Sequence, residues 1–197
     1  MLRTRVGYAG GQKENPTYDD LGNHTEVISI DYDPAVLSYS DLLKIFWAAH
    51  RCDQLNRSRQ YMNAVFYHSD EQKKLAEESR AAAAKAQGVK AEEVETSIFP
   101  VGPFTYAEAY HQKYYLTRYP GIRGVLTRAY PEAKALADSA VATRLNAYLG
   151  SGMNRDWTLF VKELPEYGLP AELEKALSEA ALDLIAQKSR GTEKTRD

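Results

Sequence analysis

The sequence predicts an α+β protein: a two-layer sandwich with a mixed or antiparallel sheet and packed helices, followed by an all-helical C-terminal extension. Three observations predict this fold. Short segments rich in β-branched and aromatic residues alternate with helical patterns up to about residue 119. Beyond Pro120-Gly121 only helical signals remain. The 197 residues, of which 44% are hydrophobic and 26% charged, suffice for a sizeable core.

The first elements follow from local patterns. Residues 2–8 predict a strand that stops at the glycine pair 10–11. Residues 24–32 are rich in β-branched and aromatic side chains and predict a second strand. Ser38, with an acidic residue three positions later, forms a capping box for a helix that runs to about His50. The chain therefore opens with two strands and a helix.

The middle of the chain predicts a strand, a long helix and a strand. Residues 60–67 favour a strand. Ser69 is expected to cap the long helix, and Gly88 is expected to end it, since glycine adopts the left-handed conformation found at helix C-termini. Residues 94–99 predict another strand. The aromatic-rich segment that follows is expected to be helical over residues 107–116.

The last third of the chain predicts helices over residues 133–149, 157–164 and 170–187, the first ended by Gly150-Ser151-Gly152. The last ten residues are polar and expected to fray. We place the division near residue 125, between a domain of residues 1–125 and a helical extension of residues 126–197. The apolar positions of this extension are expected to pack on its own protein rather than on a partner.

Composition and charge exclude several classes of function. The net charge is −2, from 25 basic and 27 acidic residues, which does not indicate a nucleic-acid partner. No apolar run approaches the ~20 residues of a membrane span, and the start does not resemble a secretory signal. The single cysteine, Cys52, excludes a disulfide framework and a zinc site built on cysteine pairs. We therefore expect an intracellular protein that binds no metal.

Three segments carry residues suited to chemistry. The first is Val6–Gly11 followed by Asn15–Tyr18. The second, Gly22–Val27, places His24 and Glu26 on one side of a strand start. The third is Gln60–Tyr67. Taken singly, they are typical of a glycine turn, a solvated strand end and a half-buried strand.

Together and in this order, these segments resemble the A-type peptide methionine sulfoxide reductases. The likeness covers about residues 2–119. Besides the three segments, it includes Tyr32-Asp33-Pro34, Leu42–His50, Gln54–Arg57, Gly102-Pro103-Phe104 and Tyr110–Tyr114.

The resemblance implies reduction of the S epimer of methionine sulfoxide to methionine, free or in proteins, as repair after oxidative stress. In the family a cysteine thiolate attacks the sulfoxide sulfur, while a protonated glutamic acid and two tyrosine hydroxyls act on its oxygen. By motif these donors are Glu26, Tyr8 and Tyr61, and His24 joins them in binding substrate. No bound cofactor is implied. Thioredoxin, or dithiothreitol in its place, would restore the enzyme, which we expect to be a monomer acting on oxidised proteins.

The chain departs from the family pattern at three places. The family's nucleophile stands in a Gly-Cys-Phe-Trp motif upstream of the position of Val6, and the 197 residues do not contain that motif. Between Arg57 and Gln60 the family has a Gly-Asn-Asp insertion whose Asp belongs to the polar network of the site, and only Ser58-Arg59 stands here. The C-terminal resolving cysteines of many members have no counterpart in residues 120–197.

Cys52 is a poor candidate for the missing nucleophile. It follows the helix that ends at His50, where the family has Asp-Pro. We expect an incidental loop thiol, with a resolving cysteine as an alternative. The chain is then either an N-terminally truncated piece of a longer reductase or an inactive module that binds a sulfoxide or a peptide. We expect it in the cytoplasm, or in an organelle if the true N-terminus precedes Met1.

Overall fold

In a computed structural model of the protein, residues 2–56, 58–150 and 156–193 are described, with side chains up to residue 186. The predictions that involve Met1, Arg57 and Ser151-Gly152 fall outside these residues. Two compact units divide the chain: one contains Val6–Glu108, and the other contains Leu2–Arg5 and the chain from Ala109 onward. The predicted division near residue 125 separates the part of the chain that resembles the family from the extension, which is a different question from where compact units divide. It stays a prediction.

Three strands form the first sheet: β1 (Arg3–Ala9), β2 (Thr25–Asp31) and β5 (Thr105–Tyr106). Their order across the sheet is β2-β1-β5. The first two confirm the strands expected over residues 2–8 and 24–32. β1 runs antiparallel to β5, and Tyr8 lies opposite Thr105. This pairing brings the chain after residue 104 alongside Tyr8.

A second, parallel sheet contains β3 (Ala64–Tyr67) and β4 (Ser97–Pro100). Both strands are shorter than the sequence predicts, because the ladder begins only where Ala64 meets Ser97. Residues Arg59–Tyr61 form a single 3₁₀ turn instead of strand. The connection between the two strands contains a helix, as parallel pairing requires a long crossover.

Two helices, α1 (Tyr39–Ala48) and α2 (Asp70–Gln87), pack in the same region. α2 packs on both strands, and α1 packs on α2. The predicted capping box is present, since Ser38 Oγ accepts the N–H of Asp41 at 3.1 Å and the Asp41 carboxylate accepts the N–H of Ser38. Gly88 ends α2 with a φ of +68°, as expected. Their shared apolar core consists of Leu43, Trp47, Cys52, Ala76, Ala83 and Ala84.

The prediction of a helix over residues 107–116 is wrong. Thr105–Tyr106 pair with β1 instead, and the ladder is extended by a 3.1 Å hydrogen bond from Ala107 N–H to the carbonyl of Val6. Only α3 (Tyr114–Thr117) is helical. Lys113 just before it has a φ of +52°, a left-handed conformation that a continuous helix does not contain. The chain therefore follows β1 as far as Ala107 and then turns before α3, where the sequence predicts one continuous helix.

Beyond Pro120, the regular elements among the described residues of the second unit are all helices, as the sequence predicts. Its helices are α4 (Pro120–Ala129), α5 (Ala133–Asp138), α6 (Ala140–Gly150), α7 (Trp157–Glu163) and α8 (Ala171–Glu193). The single helix expected over residues 133–149 is two helices, because the backbone of Ser139 is extended and its Oγ accepts the N–H of Ala142. α8 runs six residues beyond its expected end and includes part of the tail expected to fray.

The second unit has its own core, in which the apolar positions of the extension are buried. Its fully buried side chains include Leu116, Leu126, Val141, Leu145, Tyr148, Phe160, Leu164 and Leu177. The α+β class with a helical C-terminal part is thus confirmed. Across residues 2–56, 58–150 and 156–193, no helix combines the length and the apolar character needed to cross a membrane.

Candidate functional site

The glycine loop after β1 is fixed by His24. Gly10 has a φ of +78°, and a Cβ added at Gly11 would lie 2.5 Å from the imidazole of His24. His24 is buried; its Nδ1 accepts the N–H of Gly11 at 3.2 Å, and its Nε2 donates to the carbonyl of Lys13 at 2.9 Å. Both ring nitrogens are used by the loop. The geometry therefore assigns His24 to holding the loop, and the substrate contact implied by the resemblance stays a prediction.

Tyr8 is joined to a carboxylate that the sequence did not single out. Its side chain is 1% exposed, and its hydroxyl donates to Glu108 Oε2 at 2.5 Å. The other oxygen of Glu108 accepts the backbone N–H of Tyr18 at 3.0 Å. Glu108 follows the strand whose Thr105 faces Tyr8, so a correct assignment of β5 would have been the signal for it. Glu108 links β1 to the Asn-Pro-Thr-Tyr turn.

Tyr61 is the exposed member of the predicted set. Its hydroxyl is 2.9 Å from the hydroxyl of Tyr18, and 48% of the residue is exposed. The hydrogen bond with Tyr18 is the main cause that raises the pKa of Tyr61 to about 12, followed by partial desolvation and by the charges of Tyr18 and Glu26. Tyr61 therefore keeps its phenolic proton at neutral and moderately alkaline pH. Tyr18, which the sequence marked only as part of a turn, belongs to the same cluster.

Glu26 is half-buried at the start of β2, and its charge is near enough to contribute to the raised pKa of Tyr61. Its Oε1 accepts a hydrogen bond from Gln60 Nε2 at 2.6 Å. β2 packs against the Arg59–Tyr61 turn, where Thr25 Oγ1 donates to the carbonyl of Arg59 at 3.1 Å. The structure thus links Glu26 to Tyr61 through the neighbouring Gln60, and it links Tyr8 to Tyr61 through Glu108 and Tyr18.

Cys52 belongs to a different part of the same unit. Its side chain is fully buried among the apolar residues between α1 and α2. Its backbone N–H donates to Gln87 Oε1 at 2.8 Å, and its carbonyl accepts the N–H of Glu95 at 2.9 Å. A thiol without exposed surface cannot meet a sulfoxide while this core is closed. The expectation of an incidental thiol agrees with this burial, although Cys52 is a core residue rather than an exposed loop residue.

The cluster offers phenolic and carboxyl groups to a neutral, oxygen-bearing ligand. A phenol donates a hydrogen bond at neutral pH, and a protonated carboxyl group donates both a hydrogen bond and a proton. Such donors stabilise the charge that develops on an oxygen as its bond to sulfur breaks. We refer to Tyr8, Tyr18, Glu26, Tyr61 and Glu108 below as the donor cluster.

Comparison with known proteins decides the family. The family described as peptide methionine sulfoxide reductase matches residues 1–142. This chain belongs to that family. The resemblance drawn from the motifs is thereby confirmed, and the match extends past residue 125 into α6. Residues 143–197 lie outside it.

Individual reductases support the same assignment. This reductase-family chain is 43% identical over 151 residues to a peptide methionine sulfoxide reductase of Drosophila melanogaster, covering 76% of this chain and 59% of the relative. It is 44% identical over 137 residues to peptide methionine sulfoxide reductase MsrA of Methanothermobacter thermautotrophicus, covering 65% of this chain and 80% of the relative. The chain thus spans less than two thirds of the fruit-fly protein.

A solved structure agrees with the fold of this reductase-family chain. Mxr1 from Saccharomyces cerevisiae in its reduced form superimposes with a TM-score of 0.53 at 26% identity. The superposition covers 59% of this chain and 71% of the yeast chain.

Proposed function

We propose that this chain is the sulfoxide-binding part of a methionine-S-sulfoxide reductase, in which Tyr61 and Glu26 of the donor cluster act on the sulfoxide oxygen. The observation that carries the proposal is that Gln60, next to Tyr61, donates to Glu26 at 2.6 Å, while the Tyr61 hydroxyl lies 2.9 Å from that of Tyr18 and keeps its proton at neutral pH. An aromatic and carboxyl environment suits a polar but uncharged S=O group. Free methionine sulfoxide and oxidised methionine in proteins both present that group, and repair of oxidised proteins is the corresponding role.

The residues have distinct parts in the proposed chemistry. Tyr61 donates a hydrogen bond to the sulfoxide oxygen, and Glu26 supplies the proton as that oxygen leaves the sulfur. Tyr8 is buried, and its hydroxyl donates to Glu108. It therefore supports the position of Tyr18 through this carboxylate and does not contact the sulfoxide itself. Reduction consumes two electrons and two protons: two thiols become a disulfide, and the oxygen leaves as water.

The thiol must come from elsewhere than Cys52. Cys52 is fully buried and packs against α1 and α2, away from the donor cluster. We propose that the nucleophile is supplied by a Gly-Cys-Phe-Trp segment in a longer form of the protein, and that thioredoxin is the physiological reductant, in the cytoplasm. The monomeric state and the domain division near residue 125 belong to the same proposal.

The burial of Cys52 also favours a second function. A chain that holds a sulfoxide but presents no accessible thiol would act as a binding module for oxidised methionine. This alternative and the reductase share the donor cluster, and they differ only in turnover.

Binding is tested by calorimetric titration with the neutral probe N-acetyl-methionine S-sulfoxide N-methylamide. We expect saturable binding of the S epimer in preference to the R epimer. Tyr61→Phe and Glu26→Gln should each weaken it about two- to tenfold, the usual effect of losing one hydrogen bond. Tyr114→Phe, at another exposed tyrosine, serves as the control and should change nothing. Absence of saturable binding, or equal weakening by the control, would overturn the proposal.

Turnover separates the two functions. The chain as it stands and a version extended by a segment containing Gly-Cys-Phe-Trp are assayed with dithiothreitol and the same probe. We expect turnover only in the extended version, its loss when the added cysteine is replaced by serine, and its retention in Cys52→Ser. An extended version that binds the probe but does not reduce it would leave the binding module as the function. Turnover by the unextended chain that disappears in Cys52→Ser would make Cys52 the nucleophile.

A further inference from the structure

Arg59 stands where the family has its Gly-Asn-Asp insertion, and its guanidinium is fixed by three contacts. The Nε donates to the carbonyl of Asn23 at 3.1 Å, and Nη2 donates to the carbonyl of Gly10 at 3.2 Å. The Cζ atom lies 5.3 Å from the centre of the Phe99 ring, within the range of a cation–π contact. An exposed arginine is usually mobile, and this one is held in a single orientation by groups from three segments.

These contacts place the cation at the edge of the donor cluster. Gly10 begins the glycine loop after the strand that contains Tyr8, and Asn23 lies just before the strand that contains Glu26. Arg59 itself begins the 3₁₀ turn that ends with Tyr61. Arg59 therefore contacts the segments next to Tyr8 and Glu26, and it belongs to the segment that contains Tyr61.

The guanidinium has donors to spare. It carries more N–H groups than the two used by Gly10 and Asn23. Among the residues that the structure describes, no carboxylate pairs with it, whereas the exposed Arg51 is bound to Asp53 and Arg144 is bound to Glu163. Arg59 is exposed, so the remaining donors face solvent. A rigid, unpaired fork of N–H groups is the arrangement that recognises a carboxylate with two parallel hydrogen bonds.

We propose that Arg59 binds a carboxylate carried by the substrate next to the sulfoxide. The proposal rests on the proposed function, because it gives the sulfoxide held by Glu26 and Tyr61 a charged neighbour. Two substrates present this chemistry: methionine sulfoxide with a free α-carboxylate, and a protein segment with Asp or Glu beside the oxidised methionine. Arg59 thus selects among sulfoxides and does not act on the S=O bond.

Two pairs of probes test the selection by calorimetry with the full chain. N-acetyl-methionine S-sulfoxide is compared with its neutral N-methylamide, and an end-blocked peptide with Asp after the sulfoxide is compared with the same peptide containing Asn. We expect the charged member of at least one pair to bind about fivefold tighter, the upper range for an exposed ion pair. This preference should shrink at about 1 M NaCl, where charges are screened within a few ångströms.

Variants then assign the preference to the guanidinium. Arg59→Gln should abolish it while the neutral probes bind as before, and Arg59→Lys should keep part of it, since a point charge replaces the fork. Arg118→Gln, which removes the same charge from another exposed arginine, is the matched control and should keep the preference. The pair that shows the preference identifies whether the carboxylate is that of the free amino acid or of an acidic side chain.

The other outcomes are equally decisive. Equal affinity within both pairs overturns the carboxylate site while leaving the sulfoxide-binding proposal intact. If Arg59→Gln weakens the binding of all four probes equally and the preference for the charged probes remains, Arg59 only stabilises the segments of Gly10 and Asn23 and does not bind the carboxylate. If only charged probes bind, and Arg59→Gln abolishes this, the carboxylate site stands and the sulfoxide contact fails. Failure of all four probes to bind overturns both proposals.

Discussion

The buried lysine of the second unit makes the stability of the protein depend on alkaline pH. Lys113 is 6% exposed, and its ammonium donates to the carbonyl of Thr4 at 2.5 Å. Burial lowers its pKa from 10.5 to about 8; the positive charge of Arg5 acts in the same direction, and the negative charge of Asp138 opposes it. The folded state therefore disfavours the charged lysine, while the unfolded chain does not.

The sign and size of the effect follow from proton linkage. Below about pH 8 the lysine is protonated in both states, and the penalty for its burial is fully present. Between about pH 8 and 10.5 the unfolded chain binds more protons than the folded one, so the free energy of unfolding rises with pH. From about pH 8 to about pH 9.5, a span of about 1.5 pH units, the free energy of unfolding therefore rises by about 2 kcal/mol, at about 1.4 kcal/mol per unit.

The measurement compares urea unfolding of the wild type and of Lys113→Met at about pH 7 and pH 9.5. Methionine has a similar length and no proton to lose, and it lacks the hydrogen bond to Thr4 at both pH values. We expect the free energy of unfolding of the wild type, relative to the variant, to rise by about 2 kcal/mol between the two conditions. Lys162→Met, at an exposed lysine of the same unit, is the control and should show no such rise. A difference between wild type and Lys113→Met that stays constant would refute the reasoning.

Three further predictions concern other parts of the chain. The Cys52 thiol should react with a thiol reagent only as fast as the protein unfolds, because it has no exposed surface; rapid labelling under native conditions would contradict its place in the core. Gly11→Ala should lower the free energy of unfolding in urea by about 1–3 kcal/mol, since the added Cβ meets an imidazole, whereas Gly102→Ala has open space around it and should be nearly neutral; equal effects would argue against the loop packing. Phe160→Ala should cost about 3–5 kcal/mol in thermal or urea unfolding, while Leu159→Ala, about half exposed, should cost far less, and similar losses would contradict the assigned core face of α7.

Local signals predicted well the elements whose ends are capped within a few residues. Ser38 and Ser69 accept the hydrogen bonds expected of helix caps, and Gly88 adopts the left-handed conformation that ends α2. Where the outcome depended on a distant partner, prediction failed. Thr105 is strand because it pairs with Tyr8. The division of the helix over residues 133–149 has a local cause that the sequence analysis did not use, since Ser139 caps the second helix by accepting the N–H of Ala142.

The candidate site shows the same contrast. The order of the motifs indicated the family and pointed to Tyr8, Glu26 and Tyr61, because short segments with fixed spacing can be recognised from the sequence alone. Glu108 escaped notice, since its contact with Tyr8 spans 100 positions along the chain. Its role depends on the pairing of Thr105–Tyr106 with β1, which the sequence analysis did not predict.

The sequence by itself determined the family, the α+β class and the residue types that suit a sulfoxide oxygen, because motif order, periodicity and capping are local properties of the chain. Only the tertiary structure decided which groups meet: the Glu108 bridge between Tyr8 and Tyr18, the use of both nitrogens of His24 by the glycine loop, and the fixed charge of Arg59. The burial of Cys52 was likewise decided by packing between two helices. Hydrogen bonds and burial between distant segments arise from the folded arrangement, and no local pattern encodes them.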